Sequence, residues 1–62
     1  MKKERRIKRL RRKRGWTQRE LARAADIHAP TLSQIENGHR LWPGYAARIA
    51  KALGVSVEEL TA

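Results

Sequence analysis

The chain has 62 residues and no cysteine, and its fifteen Lys and Arg face only six acids, for a formal net charge of +9. That is room for one domain, 1–62, burying roughly 60% of its unfolded surface with no disulfide to support it, and it leaves no space for a cleft of enzymatic size. Such a charge attracts polyanions, while the lack of an apolar run near ~20 residues, or of an apolar segment behind the basic N-terminus, argues against a membrane span and a secretory signal.

The first predicted element is a basic helix over about 4–14, with Ile7 and Leu10 inward; ten of the fifteen cations lie between Lys2 and Arg14. Its cations read as a solvated face or as a patch near phosphate. Sharper readings are an arginine-rich RNA binder or a membrane-surface helix, for which the apolar face is thin. Gly15 stands where a helix-terminating glycine belongs, as do Gly38 and Gly54 further on. A second helix starts at Thr17 and ends near Ala24, opened by a T-x-x-E capping box of Thr17 and Glu20, with Leu21 and Ala22 inward and Ala25 just beyond. A third runs from about Ala29 to near Asn37, with Leu32 and Ile35 inward, and His28 before it either caps it or touches a ligand. A fourth spans Pro43–Leu53, its proline suited to the first turn, with Tyr45, Ala46, Ile49, Ala50 and Leu53 on one face. A short fifth helix, Val57–Leu60, follows an S-x-x-E box of Ser56 and Glu59. No run of period-2 alternation is long enough for a strand. Trp16 and Ile27, in the connections, are expected to plug the core. The fold class is therefore all-α, a five-helix bundle.

Residues 17–38, TQRELARAADIHAPTLSQIENG, join two capped helices through a turn of about four residues. That is the helix-turn-helix arrangement, whose second helix enters the major groove. TQ-x-ELA, then IENG, then ALGVS resembles the Cro and repressor domains of lambdoid phages and the Xre-type bacterial regulators, over about Ile7 to Leu60. The resemblance implies a lambda-repressor-like fold and double-stranded DNA as partner. It implies a bacterial or phage-encoded protein of the cytoplasm and nucleoid, bound as a homodimer to a palindromic or pseudo-palindromic operator. It assigns base readout to Ala29, Pro30, Ser33 and Gln34. It assigns phosphate contacts to Thr17, Gln18, Thr31, Asn37, His39 and Arg40, and an ion pair joining the first helix to the third to Arg11 and Glu36.

Physical chemistry supports several of these roles. Helix N-termini carry unpaired N–H groups that bind phosphate, and Gln pairs bidentately with adenine N6 and N7. The family's turn glycine is Asp26 here, at a position that needs φ > 0, which Asp tolerates better than most residues. Ala29 reaches only a thymine methyl and Pro30 offers no N–H, so readout rests on Gln34 and Ser33, with a large phosphate share. Leu41, Trp42, Val57 and Leu60 are the candidate dimer surface, although Leu41 and Trp42 also read as packing over the core. No cofactor and no metal site is expected, since His28 and His39 lack ligand spacing, and no nucleophile–base grouping or Gly-rich phosphate loop supports an enzyme. The function expected is a small transcriptional regulator, chiefly a repressor by promoter occupancy. The alternatives are an antitoxin or co-regulator whose main partner is a protein, and an engineered or minimal scaffold of this fold.

Overall fold

Four turns and five helices carry the chain in the computed structural model, which describes residues 6–61. The helices are α1 (Arg6–Lys13), α2 (Gln18–Ala25), α3 (Ala29–Glu36), α4 (Pro43–Leu53) and α5 (Val57–Thr61), with no strand among the described residues. The expected start of the first helix at Glu4 lies outside the described residues. Its end falls at Lys13, and Arg14 passes into the turn, its N–H reaching the carbonyls of Leu10 and Arg11. Both ends of α4 fall where Pro43 and Gly54 set them. The fifth helix continues one residue past Leu60.

Each helix is made by its ends and by one apolar face. Thr17 opens α2 with both halves of the capping box: its Oγ1 accepts from the Glu20 N–H at 3.1 Å, and Glu20 Oε1 accepts from the Thr17 N–H at 2.8 Å. Ser56 Oγ likewise accepts from the Glu59 N–H at 3.3 Å. Each bond satisfies an N–H that the helix itself leaves open. His28 corrects an expectation. It stands at the N-cap position of α3 but its side chain makes no capping bond.

Asp26 ends α2 in the left-handed region, φ 57° and ψ 48°, and its N–H bonds back to the carbonyls of Ala22 and Arg23. A residue with a Cβ is strained there by about 1–2 kcal/mol. The turn is held from outside as well, because Arg48 of α4 donates from Nη1 to the Asp26 carbonyl at 3.2 Å. Gly54 adopts the same region at the end of α4 with φ 70°, and a Cβ there would stand 3.0 Å from Nη2 of Arg14.

α2 lies across α4 and α3, while α5 closes the far side against α4 and α1. Ile7, Leu21, Leu32, Ile35 and Ile49 meet at the centre with essentially no exposure, each worth ~1.5–3 kcal/mol of burial. Ala22, Ala25, Ala46 and Ala50 are buried around them, small side chains that let the helix axes approach. Ile27 plugs the core as expected, whereas Trp16 is half-buried and packs against its edge. Leu60 corrects a second expectation. It is 2% exposed and belongs to the core, because α5 turns it inward between α1 and α4, so it cannot form a dimer surface. Leu41 is half-buried and packed on the same core. The whole measures 29 × 22 × 20 Å. No helix among the described residues is long and apolar enough to cross a membrane.

Candidate nucleic-acid interface

The site begins with a buried ion pair. Arg11 donates from Nε to Glu36 Oε2 at 2.8 Å and from Nη2 to Oε1 at 3.2 Å, a two-pronged arrangement that matches guanidinium to carboxylate. Both residues are buried, at 8% and 5% exposure. Two further bonds satisfy what remains. Arg11 Nη1 donates to the Trp16 carbonyl at 2.8 Å, and Gln18 Nε2 donates to Glu36 Oε1 at 2.9 Å. One carboxylate at the end of α3 thus ties down α1 and the first residue of α2. A buried charge pair is tolerated when its remaining donors and acceptors are filled in this way.

With its end fixed, α3 turns Leu32, Ile35 and Glu36 inward and leaves Pro30 and Gln34 exposed, with Ala29, Thr31 and Ser33 half-buried beside them. No cation lies on α3. At the head of α2, Thr17 is exposed and uses one oxygen lone pair in the cap, which leaves its hydroxyl hydrogen free to donate. The Gln18 amide has given one N–H to Glu36 and keeps a second. Glu20 is held below its ordinary value of 4.5, first by the Thr17 backbone N–H, then by the Thr17 side chain and the charge of Arg23.

After α3, Asn37, Gly38, His39 and Arg40 are all exposed. The Arg40 guanidinium lies over the Trp42 ring, 4.0 Å from its centre, so the arginine is braced by a cation–π contact. A groove of about 310 Å³ runs between this loop and α3, lined by Thr31, Gln34, His39, Arg40, Trp42 and Tyr45. It brings one of the expected base readers together with three of the expected phosphate contacts. Ser33 and Asn37 lie on or at the end of the same helix, outside that groove's lining. Trp42, at 52% exposure, and Val57, at 41%, are the large apolar side chains left open among the described residues.

Two features were not read from the sequence. The Gln18–Glu36 bond joins residues far apart in the chain and has no spacing signal. The Arg40–Trp42 stack does have one: residues two apart in an extended segment fall on the same side, so R-x-W in this loop could have been read as a pair. Among the described residues, no three of His, Asp and Glu come together to hold a metal ion.

Compared with known families, residues 7–60 match the model described as Helix-turn-helix. No curated protein and no solved structure matches the chain. With nearly its whole length covered, the chain belongs to the helix-turn-helix family of Cro/C1 type, the Xre family, whose members are DNA-binding regulators.

Proposed function

We propose that the chain is a small sequence-specific regulator that lays α3 in the major groove of duplex DNA, with α2 crossing the backbone, and represses by occupying promoter DNA. The observation that carries this reading is the groove shared by Gln34, Thr31, His39 and Arg40: a base-reading amide on a rigid helix, beside donors suited to phosphate. Gln34 reads adenine. Ser33 adds a shorter contact, Ala29 packs on a thymine methyl, and Pro30 shapes the helix without donating. Thr17 and Gln18 hold one phosphate with the two donors they keep free. Asn37, His39, Arg40 and Thr31 hold the neighbouring strand.

In this reading two copies occupy a palindromic operator on nucleoid DNA in the bacterial cytoplasm. Half-sites one helical turn apart lie about 34–36 Å from centre to centre, a spacing that accommodates two bodies each 29 Å in their longest dimension. Trp42 and Val57, the exposed members of the candidate dimer surface, supply the contact between copies. The open Trp42 also favours a second reading, an antitoxin or co-regulator that uses this ring to hold a protein.

Selection from a random-duplex library tests the first reading. The expected result is a palindromic motif. Gln34→Ala should cost about 1–3 kcal/mol on that motif and little on random DNA. Equal losses on both would remove its base-reading role, and a steep salt slope with no motif would move the case to the second reading.

A further inference from the structure

The charge of this chain lies in the wrong place for a protein that holds only one duplex. The helix-turn-helix unit, 17–38, carries two cations, Arg19 and Arg23, against three acids, Glu20, Asp26 and Glu36. α3 has no charge but Glu36. Meanwhile α1 reads RIKRLRRK, with no acid within the helix, and Arg6, Arg9 and Lys13 are exposed.

The Arg11–Glu36 bond tells which way these cations face. It joins α1 to α3 through the inner side of each. In a helix of 3.6 residues per turn, a side chain two positions away points about 160° from its neighbour. Arg9 and Lys13 each stand two positions from Arg11, and Gln34 stands two from Glu36. Arg9 and Lys13 therefore point away from the Arg11 side of α1, and Gln34 points away from the Glu36 side of α3. The Debye length is about 8 Å at physiological salt, so cations on the outer side of α1 act chiefly on phosphates brought directly to that side.

We propose that α1 is a second DNA-binding surface, which holds the phosphate backbone of another duplex segment while α3 occupies the first, so that one copy bridges two segments. The first contact rests on the reading of α3 given above; the second does not. A lipid surface is a poor fit, because Ile7 is fully buried and Leu10 packs on the core, which leaves nothing apolar to insert. The outer side of α1 has no aromatic ring to stack a base and no amide or hydroxyl to read one, which single-stranded RNA would call for. A row of point charges on a straight helix matches the regular phosphates of a duplex, one charge per ~1.7 Å of its axis.

The test captures a fluorescent selected duplex on beads that carry a random-sequence duplex, with the full chain as the bridge. The comparison is the combined variant Arg6→Gln, Arg9→Gln and Lys13→Gln, three exposed positions where Gln keeps helix propensity; helical content by circular dichroism checks its fold. Wild type should retain the fluorescent duplex. The variant should retain roughly tenfold less, while its affinity for one selected duplex stays within about threefold, as expected if three phosphate contacts are lost from the second site only. No retention by wild type would overturn the proposal. Retention unchanged in the variant would also overturn it, by assigning the bridge to two α3 faces of a dimer. Duplex RNA or anionic vesicles competing better than DNA would overturn the choice of ligand. If selection yields no motif, the α3 reading fails separately. Wild type should then still bind random duplex in a way that the triple variant weakens, and a variant that binds as tightly as wild type would overturn the α1 surface too.

Discussion

Arg11 and Glu36 are the two charged side chains buried among the described residues, and three helices depend on them. Removing one partner leaves the other charge buried with one of its three bonds. Arg11→Met should therefore cost about 3–5 kcal/mol. A chain of 62 residues has about 3–9 kcal/mol of total stability to lose, so the variant should be largely unfolded at 37 °C. Replacing both, Arg11→Met with Glu36→Leu, leaves no orphaned charge and should cost less than the sum of the single changes. Urea unfolding of the four proteins closes a double-mutant cycle. Additive losses would show that the two residues act independently, against their 2.8 Å contact. Gln18 adds a consequence for binding. Its amide touches the same carboxylate oxygen that Arg11 holds, so a phosphate that takes its second N–H is linked mechanically to the end of the reading helix.

At the scale of the elements, α2 shows why part of this fold was legible and part was not. Its capping box is a local signal, since Thr17 and Glu20 are three residues apart and their bonds follow from helix geometry alone. α4 was bounded by Pro43 and Gly54 for the same reason, and the glycine-like conformation of Asp26 could be anticipated because the turn demands it. Leu60 could not be placed, because a helix of five residues is too short for periodicity to show which of Val57 and Leu60 faces inward. Of the two roles open to His28, cap or DNA contact, the structure removes the cap, since the sequence gives position and not rotamer. The same limit hid the Gln18–Glu36 bond. The box itself predicts an acid dependence. Glu20 has its carboxyl lowered in the fold from the ordinary 4.5 by the Thr17 backbone N–H, the Thr17 side chain and Arg23. A lowered folded value means that its stabilising effect is fully present above the ordinary value and is lost as pH falls through the lowered one. Glu20→Gln should thus be less stable than wild type near neutrality, and the two should converge as pH falls through the lowered value of Glu20. Thermal unfolding at a series of pH values checks this; a gap that stays constant into acid would mean the carboxylate charge contributes nothing to the cap.

The whole molecule carries +9 with ten of its fifteen cations crowded into residues 2–14, and this sets two opposed responses to salt. In the free chain the like charges repel across a body only 29 × 22 × 20 Å, which works against the compact state. Raising salt from about 0.01 to 1 M shortens the Debye length from ~30 to ~3 Å and removes that repulsion. The Arg11–Glu36 pair is hardly touched, because its side chains are 10% and 1% exposed and buried pairs are screened far less than open ones. Salt therefore relieves the unfavourable electrostatics and spares the favourable one, so Tm of the free chain should rise. A relief of about 1 kcal/mol corresponds to roughly 4–8 °C in a domain of this size. DNA binding must move the other way, since salt abolishes the gain from releasing counterions. At low salt the duplex takes over as the neutralising partner, and by binding the folded form it stabilises that form in turn. Melting curves across a sodium chloride series, with and without duplex, should accordingly cross: DNA raises Tm strongly at low salt and hardly at all at high salt, where the free chain is already at its most stable. The combined Arg6, Arg9 and Lys13 substitutions should flatten both curves, because the same exposed cations cause the repulsion and attract the polyanion. A free-chain Tm that is flat or falling with salt would mean that the cations of α1 are already balanced within the fold.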